Sequence, residues 1–268
     1  MQGKRISSIS FAGAGNVAGY LAPALMHAGF QIASIFSRNA EKAGELASVT
    51  GAKPVFLVED IDNDADLLIL ALPDEVIPGF SKSLKDAGKF KGIVAHTSGS
   101  QSLGSVTRYH AQGGVFYPLQ SFTRFSSPDI AKVPFCIEGA TPEVAERLVE
   151  VASRLSADVR LIDTPQRAQI HLSAVFACNF TNYLYSVSDC LLAESGVKPD
   201  ILLPLIRETA LRISGGDAAA MQTGPAVRKD WSTIDMHLNL LRNHPEWKEI
   251  YKTMSELIVK LKESGSTC

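Results

Sequence analysis

Short apolar runs alternate with amphipathic segments of helical spacing along the first part of the chain, up to about residue 160. The runs are rich in aliphatic and β-branched residues, so each of them predicts a strand. The run at 67–72 is almost continuously apolar, which is typical of a strand buried on both faces. The other predicted strands lie at 6–11, 32–36, 55–58, 93–96, 115–117, 135–137 and 159–162. This alternation predicts an α/β fold with a doubly wound parallel sheet covered by helices.

The pattern changes at Thr164, where the strand-like runs end. Residues 165–194 predict one helix of about 30 residues, which would be about 45 Å long. Polar side chains interrupt it at His171, Asn179, Asn182 and Asp189. Because a bilayer would penalise these groups, we expect a buried helix and no membrane partner. Further amphipathic segments follow, so we expect a sheet domain over residues 1–163 and an all-helical domain over residues 164–268.

Composition and charge exclude several classes of partner. The 26 basic and 28 acidic residues give a net charge of −2, and no basic run would follow a phosphate backbone, which argues against nucleic acid. The four cysteines, at 136, 178, 190 and 268, have neither C-x-x-C nor zinc-ligand spacing, so we expect reduced thiols and no metal. The apolar stretch near the N-terminus is too short for the hydrophobic region of a signal peptide. We therefore expect a cytoplasmic protein.

A glycine motif lies between the first predicted strand and the first predicted helix. Its sequence is Gly13-Ala14-Gly15-Asn16-Val17-Ala18, a G-x-G-x-x-A pattern. The first glycine permits a tight turn, the second lets a pyrophosphate approach the backbone, and the helix N-terminus offers free N–H groups. The motif therefore predicts a dinucleotide site formed by residues 13–17, and an ordinary glycine turn is the alternative.

The end of the second predicted strand indicates which dinucleotide is bound. An NAD-binding chain normally has an acidic residue there, whereas this chain has Ser37-Arg38-Asn39. A guanidinium can pair with a 2′-phosphate that a carboxylate would repel, and the serine hydroxyl adds a hydrogen bond. We predict NADP, with Ser37, Arg38 and Asn39 as binding residues and Lys42 as a helper. Alternatively, Arg38 is a solvated residue at a helix start.

Polar and small residues also follow three later strands. We expect Leu72, Pro73 and Thr97 to line the cofactor, because the carboxyl ends of parallel strands face the ligand crevice. Ser98 is a catalytic candidate and Gln120 a substrate-binding candidate at the same edge. Alternatively, Thr97 and Ser98 cap the next helix, and Gln120 satisfies loop backbone groups.

The long predicted helix carries further candidates. His171, Asn179 and Asn182 would lie within about 80° of one another on a regular α-helix. A histidine there can protonate a developing alkoxide or amine, and an amide can orient a carbonyl or the nicotinamide, so His171 and Asn179 are catalytic candidates and Asn182 a substrate-binding one. An interior histidine with asparagines that bridge helices is the alternative.

A rigid break at 223–230 offers one more candidate. Arg228 can clamp an anionic substrate there. It can equally pair with Asp230 and fix the loop, and the residues alone do not decide between the two.

Together these features resemble a known family, the Rossmann-like NADP oxidoreductases with a helical C-terminal domain, which are relatives of pyrroline-5-carboxylate reductase and the β-hydroxyacid dehydrogenases. The resemblance covers nearly the whole chain. It rests on the glycine motif, Ser37-Arg38, Leu72-Pro73-Asp74, Thr97-Ser98-Gly99, Tyr117-Pro118-Leu119-Gln120-Ser121-Phe122, the helix of His171 and Asn179, and Thr223-Gly224-Pro225. It implies a homodimer formed through the helical domain.

The chain departs from the family pattern at two places. Lys229 stands where the family usually has glycine, and no lysine lies between Gln166 and Leu191, where the β-hydroxyacid dehydrogenases have their acid. Either His171 replaces that lysine, or the reaction is an imine reduction that needs less from the protein, or there is no reaction.

Two functions follow from the sequence. The first is an NADP-dependent oxidoreductase that transfers a hydride to the C=O or C=N carbon of a small anionic substrate, in a cleft between the two domains. The second is a non-catalytic dinucleotide-binding sensor or structural dimer.

Overall fold

A computed structural model describes residues 5–88, 90–123, 128–213 and 216–264, and these residues contain an eight-stranded sheet. Its strands are β1 (Ser8–Ala12), β2 (Gln31–Phe36), β3 (Lys53–Val55), β4 (Leu67–Leu70), β5 (Ile93–His96), β6 (Gly113–Pro118), β7 (Phe135–Gly139) and β8 (Val159–Leu161). Their spatial order is β3-β2-β1-β4-β5-β6-β7-β8. The first six strands have the order of a Rossmann fold, so the predicted fold class is confirmed.

Strand β7 departs from a purely parallel sheet, because it pairs with β6 in antiparallel orientation. Pro118, the last residue of β6, pairs with Phe135, the first residue of β7, so the connecting loop returns the chain to the same end of the sheet. An antiparallel return of this kind needs no helical crossover. Strand β8 then pairs with β7 in parallel orientation.

Helices connect most of the strands and form the C-terminal part of the chain. They are α1 (Asn16–His27), α2 (Ala40–Thr50), α3 (Ile77–Ala87), α4 (Gly104–Thr107), α5 (Pro142–Ser153), α6 (Thr164–Ala174), α7 (Thr181–Glu194), α8 (Leu203–Ile213), α9 (Trp231–Leu240) and α10 (Pro245–Ser264). All four residues of β4 are completely buried, as the sequence predicts for a strand covered on both faces. The core sits on both faces of the sheet, so the strand ends are the accessible part of this layer.

The chain packs as two compact units, Met1–Cys178 and Asn179–Cys268. The first contains the sheet and helices α1 to α6, and the second contains α7 to α10. The division between them falls inside the long helical stretch. The domain boundary expected at 163/164 from the change in pattern stays a prediction.

Residues 165–194 are helical, as the sequence predicts. A π-helical segment, Val175–Phe180, lies between α6 and α7, so the stretch is not one regular α-helix. A π-turn bonds residue i to residue i+5 and therefore shifts the phase of every later side chain. The prediction that His171 shares a face with Asn179 and Asn182 assumed regular α-helical spacing, and that spacing argument is wrong.

The expectation that this helix is buried is also wrong for the single chain. Phe176 is 62% exposed and Tyr183 is 49% exposed, and α7 contains no buried residue. Such exposed apolar side chains give the helix surface to pack against another molecule. No helix in the described parts of the chain combines the length and the apolar character that crossing a membrane requires.

Candidate active site

Gly13 forms the tight turn after β1. Its φ angle is +107°, and a Cβ atom on it would lie 2.1 Å from the carbonyl oxygen of Ala71. Its N–H donates to the carbonyl oxygen of Phe36 at 2.8 Å, which ties the turn to the end of β2. Only glycine fits both the left-handed conformation and this close approach to the chain after β4.

Gly15 leaves the N-terminus of α1 open. It is the N-cap residue, no side chain caps the helix, and the first turn contains no acidic residue. A Cβ atom on Gly15 would meet nothing within 4 Å. The free N–H groups and the positive end of the helix dipole therefore face open space, which is the arrangement that binds a pyrophosphate.

A cavity of about 590 Å³ lies beside this helix end. Ala14, Gly15 and Asn16 line it from the glycine turn, and Lys42 lines it from α2. Asn16 also donates from Nδ2 to the carbonyl oxygen of Phe122 at 3.1 Å, which joins the turn to the loop after β6. Val17 is half-buried against the core and anchors the start of the helix. The glycine motif thus has the form that a nucleotide site requires.

The three residues after β2 have different local roles. The Ser37 hydroxyl accepts from the N–H of Asn39 at 3.1 Å, and the Asn39 side chain accepts from the N–H of Lys42 at 3.0 Å and caps α2. Arg38 is exposed, and it forms no hydrogen bond or ion pair with any residue that the structure describes. Its guanidinium is therefore available for a 2′-phosphate, as the NADP prediction requires.

Thr97 and Ser98 already bond to the backbone. Both the N–H and the hydroxyl of Thr97 donate to the carbonyl oxygen of Leu70, at 3.2 and 3.3 Å. Ser98 is 5% exposed, and its hydroxyl oxygen accepts from the N–H groups of Ser100 at 3.2 Å and Gln101 at 3.0 Å. These contacts bond both hydroxyls to the backbone, but neither residue caps the next helix as the alternative expects, because Leu103 is the N-cap of α4. Of the two cofactor-lining candidates beyond the end of β4, Leu72 is half-buried and Pro73 is exposed.

His96 is a buried histidine at the end of β5 that the sequence did not single out. Its Nδ1 accepts from the N–H of Ser98 at 3.2 Å, and its Nε2 donates to the carbonyl oxygen of Ser102 at 3.3 Å. Burial, together with the positive charge of Arg167, lowers the pKa of His96 to about 4. The imidazole is therefore neutral and holds both ends of the loop after β5.

Tyr117 and His171 form a side-chain pair next to this loop. The Tyr117 hydroxyl lies 3.3 Å from Nδ1 of His171, and the two rings meet edge to face with their centroids 6.3 Å apart. Burial, reinforced by Cys136 and Asp74, raises the pKa of Tyr117 to about 12, so the hydroxyl keeps its proton at neutral pH. The pair offers a proton-transfer group at the carboxyl edge of the sheet.

Gly99 packs directly against this pair. A Cβ atom on Gly99 would lie 2.6 Å from Nδ1 of His171 and 2.8 Å from Cζ of Tyr117. The next residue, Ser100, donates from its hydroxyl to the carboxylate of Asp74. The loop after β5 thus brings a glycine backbone onto the imidazole and binds the Asp74 carboxylate through Ser100. Glycine at position 99 is needed because any larger residue would displace the His171 ring.

The remaining candidates are exposed. Gln120 accepts from the N–H of the adjacent Ser121 at 2.8 Å, as its structural interpretation expects. Asn179 and Asn182 are exposed in the second compact unit. Arg228 is also exposed and forms no ion pair among the described residues, although its charge contributes to the lowered pKa of Asp230.

The sequence did not identify Tyr117 as a functional residue. Tyr117 belongs to the Tyr117–Phe122 motif, on which the family resemblance partly rests, but nothing local in the sequence indicates that it contacts His171. Within the described ranges, no cluster of three or more His, Cys, Asp or Glu side chains is arranged to hold a metal ion.

The sheet order, the glycine turn and the open N-terminus of α1 define a Rossmann-type nucleotide-binding protein. A family described as a Rossmann-like domain matches residues 1–120, and a family described as a domain of unknown function, DUF2520, matches residues 133–258. A "putative NADP oxidoreductase" from Bacteroides fragilis is 35% identical, with a TM-score of 0.90 over 95% of this chain and 98% of that one.

The chain therefore belongs to the family of Rossmann-like NADP oxidoreductases in which a Rossmann-like domain is followed by a C-terminal DUF2520 domain, as the resemblance predicted. A Thermotoga maritima protein is 22% identical, with a TM-score of 0.71 over 96% of this chain and 99% of that one. A reductive aminase from Aspergillus terreus, solved with NADPH and ethyl levulinate, is 15% identical, with a TM-score of 0.70 over 97% of this chain and 95% of that one. These two show the shared fold alone. No curated protein matches the chain.

Proposed function

We propose that this protein is an NADP-dependent oxidoreductase that reduces the C=O or C=N carbon of a small anionic substrate. The observation that carries the proposal is the Tyr117–His171 pair, which contacts the loop after β5. The glycine turn follows β1, and the carboxyl ends of parallel strands lie along one edge of the sheet. A nucleotide-binding turn and a proton-transfer group on the same edge support hydride transfer coupled to protonation.

The residues present fit the dinucleotide. Residues 13–17 would hold the pyrophosphate, because Gly15 leaves the start of α1 open. Arg38 and Ser37 would hold the 2′-phosphate, and Asn39 would cap α2 beside it. Leu72, Pro73 and Thr97 would line the site farther along the strand ends. When bound, NADPH supplies a hydride.

His171 is the acid in this proposal. Its Nε2 has no partner among the described residues, so that nitrogen is available to a substrate. As the C=O or C=N bond is reduced, its oxygen or nitrogen gains an electron pair and takes the proton from Nε2. Ser98 and Asn179 as catalytic residues, and Gln120, Asn182 and Arg228 as substrate-binding residues, rest on the sequence pattern alone.

A homodimer formed through the helical domain is part of the same proposal. Its support is the exposed apolar surface of the second unit, where Ile201 is 64% exposed and Leu205 is 60% exposed. A second copy of the chain would cover such a surface. Sedimentation equilibrium should give twice the chain mass, and Leu205→Glu should shift the protein toward monomer. A cytoplasmic location belongs to the proposal as well, and rests on the cysteine pattern of the sequence.

The first test is a parallel titration of the purified protein with NADPH and NADH, followed by nucleotide fluorescence. We expect tighter binding of NADPH, and then turnover in a screen of small keto acids and cyclic imine carboxylates. His171→Ala should keep NADPH binding and abolish turnover, whereas His27→Ala, on the exposed side of α1, should change neither. Binding of neither nucleotide would overturn the proposal. Tight NADPH binding without turnover of any substrate would favour the sensor or structural dimer.

A further inference from the structure

The Tyr117 hydroxyl and the His171 ring are hydrogen-bonded only to each other within the described part of the chain. A half-buried phenol hydrogen needs an acceptor, and an imidazole nitrogen can accept only when it carries no proton. Nδ1 of His171 is therefore the acceptor, and the ring proton belongs on Nε2.

We propose that Tyr117 is a positioning residue, whose hydroxyl donates to Nδ1 of His171 and so holds the ring proton on Nε2, the nitrogen left for the substrate. This inference rests on the proposed function, in which His171 is the acid. Tyr117 itself does not need to touch the substrate.

The Tyr117–His171 pair can deliver a proton to the substrate without leaving a charge on the imidazole. The Nε2–H bond of His171 breaks as the new O–H or N–H bond of the product forms. At the same time the Tyr117 O–H bond breaks and a bond from its proton to Nδ1 forms, so the imidazole stays neutral throughout. The phenolate left on Tyr117 then takes its proton back from Nδ1 as Nε2 takes a proton from water, which leaves hydroxide and restores the starting tautomer. A product alkoxide is a far stronger base than a phenolate, so this transfer runs in the required direction.

Several charged or titratable groups face Tyr117. They are Asp74 after β4, Cys136 on β7, Arg167 on α6 and Cys178 in the π-helical segment. Arg167 is the positive group among them, and its charge favours a transient phenolate on Tyr117. Gly99 completes the arrangement, because its missing side chain lets the tyrosine and the imidazole approach each other.

The first experiment measures the tautomer directly, without substrate or cofactor. The full chain is labelled with ¹⁵N-histidine, and two-bond ¹H–¹⁵N spectra at pH 8 are assigned by the signal missing in His171→Gln. The chain has six histidines, so one lost signal is readily identified. We expect His171 as the Nε2–H tautomer in the wild type and a mixture of tautomers in Tyr117→Phe. A wild-type Nδ1–H tautomer, or an unchanged tautomer in Tyr117→Phe, would overturn the inference.

Two further variants keep this experiment decisive. Gly99→Ala should push the imidazole away from the Tyr117 hydroxyl and give the same tautomer mixture, even if Tyr117→Phe folds poorly. Tyr109→Phe removes the hydroxyl of another half-buried tyrosine and should leave the His171 signals unchanged. If Tyr109→Phe alters the His171 tautomer as strongly as Tyr117→Phe, the effect is not specific to the pair and the inference is wrong.

The pH dependence of turnover gives a second readout. In the wild type the neutral imidazole is the active form, so turnover should persist above pH 7. In Tyr117→Phe only the charged imidazolium can give up a proton readily, so turnover should fall about tenfold per pH unit in the alkaline range. Parallel pH profiles for the two proteins would contradict the inference.

The two proposals fail in distinguishable ways. Full turnover by His171→Ala would remove His171 as the acid, and with it the proposed mechanism, whatever the spectra show. Loss of turnover in His171→Ala, combined with an unchanged tautomer in Tyr117→Phe, would leave the acid in place and overturn only the role of Tyr117.

Discussion

Nη1 of Arg167 donates to Oε2 of Glu138 at 2.5 Å, in a pair whose side chains are only 1% and 17% exposed. The same guanidinium donates to the carbonyl oxygen of Gln101 at 2.7 Å, and Thr164 donates to the glutamate from its hydroxyl at 2.8 Å. The pair thus joins the loop after β5 to β7 and to the start of α6. Since His171 lies one helical turn beyond Arg167, the ion pair also fixes the helix that carries the proposed acid.

Removal of one member of this pair should be costly. Arg167→Met leaves the Glu138 carboxylate half-buried without its cation, which should lower the free energy of unfolding by about 3 kcal/mol, measured by urea denaturation at pH 7. The double variant Arg167→Met/Glu138→Leu removes both charges and should recover most of that loss. If the single and double variants unfold at the same urea concentration, the loss comes from packing and not from the unpaired charge.

The buried His96 makes stability depend on pH. Its pKa is lowered from 6.5 to about 4, so between these values the unfolded chain binds a proton that the folded chain does not. The stabilisation is present above pH 6.5 and is lost as the pH falls toward 4. For this residue alone, the free energy of unfolding should decrease by about 2 kcal/mol between pH 7 and pH 5.

The variant His96→Gln isolates this contribution. It should reduce the change in unfolding free energy between pH 7 and pH 5 by about 2 kcal/mol, measured by urea denaturation at both pH values. His110, whose pKa burial also lowers, would supply a remaining change of the same sign. His27→Gln, at an exposed position, is the control and should leave the wild-type change intact. An undiminished pH dependence in His96→Gln would show that His96 is not the group responsible.

Arg38 should decide the choice between the two nicotinamide cofactors. Arg38→Asp replaces an unpaired guanidinium with a carboxylate, which would repel a 2′-phosphate. We expect the dissociation constant for NADPH to rise by about 100-fold, and that for NADH to change by less than about 3-fold. Arg108→Asp, with the same charge change at another exposed position, is the control for net charge. Equal losses for NADPH and NADH would refute the 2′-phosphate assignment.

The parts of the site that depend on local rules could be predicted from the sequence. Gly13 is needed because its φ angle is positive and the carbonyl oxygen of Ala71 approaches it closely. The G-x-G-x-x-A spacing predicts a glycine turn of this kind from a few adjacent residues. The almost continuously apolar composition of residues 67–72 likewise predicts a buried strand, and β4 is buried throughout. The doubly wound class of the sheet also follows from the alternation of strands and helices.

The parts that depend on distant contacts could not be predicted. Tyr117 and His171 are 54 residues apart in the chain, and no periodicity links them. The antiparallel direction of β7 depends on a loop return that local pattern does not show. The π-helical segment at Val175–Phe180 has no sequence signal in the hydrophobic period, yet it undoes the predicted alignment of His171 with Asn182.

Lys229 has a strained backbone in the break before α9. Among the described residues other than glycine, it alone has a positive φ angle, +54°, a conformation that favours glycine. The left-handed conformation destabilises a residue with a Cβ atom by about 1–2 kcal/mol. Glycine avoids this strain, but its larger loss of chain entropy on folding costs about 0.5–1 kcal/mol. Lys229→Gly should therefore raise the free energy of unfolding by about 0.5–1 kcal/mol, apart from any effect on its ion pair.

The ion pair must be separated from the backbone effect, since Lys229 Nζ lies 2.6 Å from Oε1 of Glu263. Both side chains are more than half exposed, at 53% and 56%, so the pair contributes little to stability. Glu263→Gln removes the pair and leaves the backbone unchanged, which makes it the matched background. Thermal unfolding at a fixed protein concentration should show that Lys229→Gly stabilises the Glu263→Gln protein. A lower melting temperature for Lys229→Gly in that background would mean that the left-handed conformation of Lys229 carries no strain for glycine to relieve.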